Sequence, residues 1–234
     1  MKLNCDLGES FGAWTMGQDA RIIPLVDMAN VACGFHASDP LIMTETVQLA
    51  LAHKVAIGAH PAYQDLAGFG RRSIHHTPAQ IKALLWYQVG ALDGICRAVG
   101  GQVSYVKPHG ALNNDMMKDT GLLLAVMEAM AGFRPDLPLM IPATRQSERH
   151  KELADKVGVP LLFEAFADRA YDDDGQLVAR SVPGAVLHDH QAVLEQALSF
   201  AHKGGVHSIS GQWLPLQADS LCVHGDNDVA LAAV

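Results

Sequence analysis

The stretch VACGFHASDP, Val31 to Pro40, reads as the junction between a β-strand and an α-helix. Asp27–Cys33 has the apolar run of a strand. Asp39-Pro40 then has the chemistry of a helix start, with a carboxylate at the N-cap and a proline at the first helical position. The apolar series Leu41, Val47, Ala50 and Leu51 carries that helix to about Lys54. The same junction holds Cys33, His36 and Asp39, and Cys-x-x-His has the look of a metal site. Cys33 continues the strand alternation with no base assigned to it, so packing is its expected role. His36 is left on the loop between strand and helix.

Working outward, the same unit recurs along the chain. Lys2–Leu7, Val55–His60, Ser104–His109, Leu139–Ile141, Leu161–Phe166 and Ser220–His224 read as strands, with one further strand segment within Ser208–Leu216. Helices are expected from Thr77-Pro78 to about Val99, where Gly100-Gly101 stops the pattern, then from about Met116 to Met130, over Ser147–Val157 and over Gln191–Lys203. Asp172–Pro183 looks like an irregular excursion or a small hairpin around Asp174-Gly175, and Asp228–Val234 like the first turns of a closing helix. Seven βα-type units, with no repeat period and no linker, predict an α/β fold: one domain over residues 1–234, a TIM-like barrel of parallel strands ringed by helices. Strand counting alone leaves seven and eight strands open.

Charge and composition narrow the function classes. The formal net charge is −8 and no Lys/Arg run is present, which argues against nucleic acid as a partner. No apolar run reaches the roughly 18 residues of a membrane span, and MKLNCDLGES has no signal-peptide h-region. Four widely spaced cysteines without a CxxC pair suit reduced thiols, so a cytoplasmic location is expected. The chain carries 12 histidines, several of them at strand ends, and a homo-oligomer is left open.

Alternation along each strand sorts the side chains. In KLNCDL the apolar face must meet the helices, so Asn4 and Asp6 point into the barrel, with Glu9 on the following loop. By the same rule Gly58 and His60 align, as do Tyr105, Lys107 and His109, then Glu164, Phe166 and Asp168, then Cys222 and His224. Asp6, His36, His60, Lys107, His109, Glu164 and His224 would converge on the C-terminal mouth, where barrels of this kind place their chemistry. Arg71-Arg72, in a Gly-flexed loop, suit a carboxylate or phosphate, with a solvated pair as the alternative. Asp168-Arg169 reads either as a structural ion pair or as part of the site. Asp6, His36 and His60 make a carboxylate-plus-two-imidazole set that could hold a divalent metal, although residues from separate strands have no diagnostic spacing. HExxH, GxxxxGK[ST] and GxSxG motifs are all absent, so nucleotide chemistry needs a different cradle or another chain.

Seven ordered blocks carry a family resemblance: NCDLGES, NVACGFHASDP, IGAHPAYQDLAGFGRR, YVKPHGALNND, EAFADRAYDDDG, ARSVPGAV and CVHGDN. Together they span nearly the whole chain and resemble the signature blocks of the LamB/YcsF family. Departures are small: Ser38 stands where that family usually has glycine, Gln64 where proline is frequent, and Asn113 where an aromatic is usual. The resemblance implies a seven-stranded β/α barrel related to carbohydrate deacetylases and some glycoside hydrolases. It also implies ATP-dependent hydrolytic opening of 5-oxo-L-proline to L-glutamate, with ATP as co-substrate and this chain as the A component beside partner subunits B and C.

For that reaction, side-chain chemistry nominates Asp6 as base with Glu9 next, Lys107 to stabilise negative charge, and His60 or His109 to deliver a proton. Arg71 or Arg72 would hold the substrate carboxylate or a phosphate, with Asn4, His36, Glu164 and His224 as further substrate contacts. Two alternatives stay open. One is a stand-alone metal-dependent amide hydrolase or deacetylase using Asp6, His36 and His60; the other is a non-catalytic lactam-binding subunit.

Overall fold

The computed structural model describes residues 1–223. Seven parallel strands close into a barrel: β1 (Lys2–Leu7), β2 (Met28–Ala32), β3 (Ala56–His60), β4 (Val103–Val106), β5 (Leu139–Pro142), β6 (Leu161–Phe166) and a last strand, Ser220–Cys222. The last strand pairs with both β6 and β1, which settles the strand number at seven. The segment Ser208–Leu216 does not join the barrel. It forms part of an antiparallel hairpin, β7 (Gly205–His207) with β8 (Trp213–Pro215), so the last barrel strand is β9.

Helices follow the strands on the outside: the short α1 (Asp19–Ile22), then α2 (Pro40–Ala52), α3 (Pro78–Ala98), α4 (Gly110–Met116), α5 (Thr120–Phe133), α6 (Ser147–Val157) and α7 (His190–Lys203). Asp39 caps α2 as its sequence suggests, accepting from the amides of Leu41 at 2.8 Å and Ile42 at 3.0 Å. Thr77 and Gln80 form a reciprocal capping box at the head of α3. The helix expected from about Met116 to Met130 starts later, at Thr120, and an unexpected helix, α4, precedes it. Asp119 sets the start of α5, because its carboxylate accepts from the amides of Gly121 and Leu122. The closing helix expected at Asp228–Val234 lies outside the described residues, as does His224.

Two cores result from the alternation of the strands. Outward-facing Cys5, Leu7, Ala29, Val31, Ile57 and Ala59 pack against the inner faces of the helices in the main core. Inside the barrel, Met28, Tyr105 and Met140, with Ala56 and Leu162 against them, form a separate apolar plug. Gly58 lies on the same inward row, and a Cβ there would overlap the Tyr105 ring. Glycine at 58 is therefore what gives the plug room. Above it comes a polar layer of Asn4, Asn30, Lys107 and Glu164, all buried, which forms the floor of the site.

β4 ends at Val106, three residues short of the expected His109, because Pro108 has no amide to donate. The direction of the strand nevertheless persists. The Lys107 amide donates to Ala59 at 2.9 Å and the His109 amide to Pro61 at 2.8 Å, so both side chains still arrive at the barrel mouth.

Candidate active site

A cavity of about 380 Å³ opens at the C-terminal end of the barrel, lined among others by Asp6, Glu9, His60, Lys107, His109 and Arg71. Its floor is a charge network. Lys107 Nζ lies 2.9 Å from Asp6 Oδ1 and 2.7 Å from Glu164 Oε1, and also approaches Asn4 Oδ1 and Cys222 Sγ at 3.3 Å each. Burial alone would lower the Lys107 pKa, but the carboxylates of Asp6 and Glu164 outweigh it and hold the ammonium well above its ordinary 10.5. Four partners already surround its three N–H groups. Lys107 therefore serves the site by fixing and charging Asp6, more than by offering a free donor. Asp6 Oδ1 also accepts from Asn30 Nδ2 at 2.8 Å, and Asn30 Oδ1 in turn accepts from the Tyr105 hydroxyl at 2.6 Å. The floor of the site is thus tied directly to the apolar plug.

Beside the floor stands a cluster of imidazoles. His36 and His109 stack with ring centroids 3.8 Å apart and 6° between planes, and His60 meets both edge-on. His60 Nε2 lies 3.3 Å from Asp6 Oδ2 and 2.9 Å from His109 Nδ1, while His36 Nε2 lies 3.2 Å from Glu9 Oε1. Burial pushes His36 and His109 well below 6.5, and the neighbouring imidazoles add to the effect. The loop at Phe69-Gly70 closes over this stack. Gly70 has φ +64°, and a Cβ there would lie 2.8 Å from His36 Cβ and 2.9 Å from His109 Cδ2.

The expected site residues divide into groups. Asp6, Glu9, His60, Lys107, His109 and Arg71 reach the cavity. Asn4 and Glu164 are buried outside the cavity lining, against Lys107. His36 is fully buried behind Glu9 and His109. Arg72 turns away to pair with Asp65, its Nε 3.0 Å from each carboxylate oxygen, so of the two arginines only Arg71 faces the cavity. Of the expected metal set, Asp6 is drawn towards Lys107 and Asn30. The donor atoms that gather within 4.8 Å of one another are those of Glu9, His36, His60 and His109. Cys33 is a buried thiol that burial pushes up to about 12, in keeping with a packing role.

A further arginine escaped the reading by strands. Arg180 joins Arg71 along the cavity wall, brought there by the excursion expected over Asp172–Pro183, and Arg169, read from the sequence as part of an ion pair or of the site, lines the same wall. That excursion is pinned by isolated bridges between Arg169 and Val186 and between Tyr171 and Leu177. Arg169 donates to the carbonyls of Ala185 at 3.2 Å and Val178 at 2.6 Å. Burial, helped by Arg180, lowers its pKa to about 10. The sequence signal was the block ARSVPGAV itself, which the alternation rule cannot place because it belongs to no strand.

The LamB/YcsF family model matches residues 1–234. The chain belongs to the LamB/YcsF family. Among curated relatives, a protein of Pseudomonas fluorescens Pf-5 named as the A subunit of 5-oxoprolinase is 60% identical over 232 residues, covering 99% of this chain and 93% of that protein. A protein of the same name from Vibrio campbellii is 55% identical, covering 100% of this chain and 92% of its own length. Among solved structures, the lactam utilization protein of Thermus thermophilus superposes with a TM-score of 0.92 at 40% identity, over 100% of this chain and 94% of that one. A putative cellobiose-phosphate cleavage protein from Enterococcus faecalis V583 shares the fold alone, with a TM-score of 0.56 at 12% identity over 95% of this chain and 79% of that one. The seven-stranded barrel is thus the fold that this LamB/YcsF chain shares with a lactam utilization protein. No helix among the described residues is long and apolar enough to cross a membrane.

Proposed function

We propose that this chain is the A component of an ATP-dependent 5-oxoprolinase, opening the lactam of 5-oxo-L-proline to L-glutamate together with partner subunits B and C. The observation that carries this reading is the convergence of Asp6, Lys107, His60 and His109 on a cavity whose wall also bears Arg71, Arg169 and Arg180. A five-membered lactam offers a carbonyl to be attacked, a ring nitrogen to be protonated and a carboxylate to be held. The cavity has a group suited to each. The relatives named as 5-oxoprolinase components supply the substrate class.

In the proposed sequence the lactam carbonyl oxygen takes the γ-phosphoryl group of ATP, releasing ADP and making the ring carbon a strong electrophile. Asp6, ionised beside Lys107, takes a proton from water as the oxygen of that water bonds to the ring carbon. The C–N bond then breaks as the nitrogen takes the proton that Asp6 received from water, the hydroxyl proton of the adduct passes to the same amine, and γ-glutamyl phosphate results. Hydrolysis of that acyl phosphate gives glutamate and inorganic phosphate. Lys107 keeps Asp6 anionic and aimed, and Arg71 with its neighbours balances the substrate carboxylate or the transferred phosphate.

Glutamate release from 5-oxoproline and ATP, by the purified chain combined with subunits B and C, tests the proposal. Asp6→Asn should lower turnover by about 10²–10⁴-fold, the usual worth of a general base. Wild-type turnover by Asp6→Asn, or full turnover by B and C without this chain, refutes it.

A further inference from the structure

The imidazole cluster holds a proton-counting problem that points to a bound cation. His60 Nδ1 lies 2.7 Å from the carbonyl oxygen of Lys107, and His109 Nε2 lies 2.9 Å from that of Phe69. A carbonyl can only accept, so each of these nitrogens carries the ring's hydrogen. A neutral imidazole has only one such hydrogen. His60 Nε2 and His109 Nδ1 therefore face each other at 2.9 Å as two bare lone pairs. Two acceptors at hydrogen-bond distance repel unless a positive charge lies against both.

We propose that Glu9, His36, His60 and His109 form a binding site for one divalent transition-metal cation. A bridging proton would satisfy His60 and His109 alone. It would leave unexplained why a third imidazole and a carboxylate bring their donor atoms within 4.8 Å of those of His60 and His109. A metal uses all four donors. Three imidazoles and one carboxylate suit Zn²⁺, Co²⁺ or a similar ion of borderline softness over Mg²⁺ or Ca²⁺, which prefer oxygen.

The surroundings are built for such an ion. The carbonyls of Lys107 and Phe69 orient two of the rings through their outer nitrogens, as outer partners of metal-bound histidines commonly do. Gly70 lets the backbone close over His36 and His109. Glu9, its side chain 17% exposed beside three almost fully buried rings, is the ligand with room to adjust as an ion enters. This inference does not rest on the reaction proposed above, since it concerns metal binding by this chain alone.

The test strips the purified chain with a chelator, removes the chelator, and titrates in Co²⁺ while following heat and visible absorption. One equivalent should bind with ligand-field bands, and an equal concentration of Mg²⁺ should not displace it. His109→Gln and Glu9→Gln should each weaken binding by at least about 10-fold, the lower end of what even outer partners of metal ligands control. His75→Gln, which removes an exposed imidazole outside the cluster, should bind as wild type. If the ligand variants fail to fold, X-ray absorption at the cobalt edge of the wild-type protein decides, with imidazole scattering expected. Absence of saturable binding, affinity unchanged in both ligand variants, affinity lost in His75→Gln, or a cobalt shell without imidazole would overturn the proposal.

Discussion

Replacing Lys107 by methionine removes the one positive charge between two carboxylates while keeping most of the side chain's volume. Asp6 and Glu164 sit 2.9 Å and 2.7 Å from its ammonium. Their losses are unequal. The Asp6 side chain is 14% exposed and keeps its bond from Asn30, so water and one amide still serve it. Glu164 is 1% exposed and would be left as a buried charge without its counter-ion. Removing one partner of a buried pair costs about 3–5 kcal/mol, and nearly all of it should fall on Glu164. In a chain of this size that lowers the melting temperature by roughly 6–20 °C. Urea unfolding of the isolated chain at neutral pH measures the loss. Adding Glu164→Gln to Lys107→Met should return most of it, because the second change removes the stranded charge. Stability of Lys107→Met within about 1 kcal/mol of wild type, or no recovery in the double variant, would refute the charge accounting.

Two further substitutions test how the barrel supports the site. Gly58→Ala puts a methyl group into the Tyr105 ring and should cost about 1–3 kcal/mol by overpacking, with turnover falling as the Tyr105–Asn30–Asp6 chain shifts; an unchanged melting curve would mean the plug is loose. Ser38→Gly should stabilise the protein by about 1 kcal/mol, or roughly 2–4 °C, because Ser38 adopts φ +73°, where glycine carries no Cβ penalty; thermal unfolding reads it, and a lower melting temperature would show that the Ser38 side chain outweighs its backbone strain.

The barrel was legible because its strands alternate cleanly. Cys5 and Leu7 face the helices while Asn4 and Asp6 face inward, and the register Asp6–Asn30–Gly58–Tyr105 runs around the sheet on one inward row. Alternation told which way a side chain points but not how deep it ends. Asn4 and Glu164 were correctly turned inward, yet they are buried outside the cavity lining, and only the register of closed strands sets that depth. Residues on loops were the harder part. Glu9 and His109 gather with His36 and His60 where the Phe69-Gly70 loop, with φ +54° and +64°, closes over the rings. Arg72 left the cavity for Asp65, a pairing only seven residues long that no strand rule predicts. Arg180 arrived through an excursion whose shape depends on isolated bridges.

Lys107 joins the two halves of the site through different atoms, and this makes them separable. Its ammonium serves the lactam chemistry by holding Asp6, whereas its backbone carbonyl accepts the hydrogen of His60 Nδ1 and so aims His60 Nε2 at His109. Lys107→Met removes the first interaction and leaves the second in place. The variant should therefore lose glutamate formation in the full complex while still binding one equivalent of Co²⁺ with wild-type ligand-field bands. Parallel loss of both in a folded variant would mean that the imidazole cluster depends on the charge network, and that the two form a single site. Loss of metal binding with turnover intact would reverse the assignment of Lys107 altogether. Tying cation and base to one residue has a physical consequence as well. Lys107 positions His60 through its carbonyl and Asp6 through its ammonium, so a shift of the chain at the end of β4 would displace both groups at once.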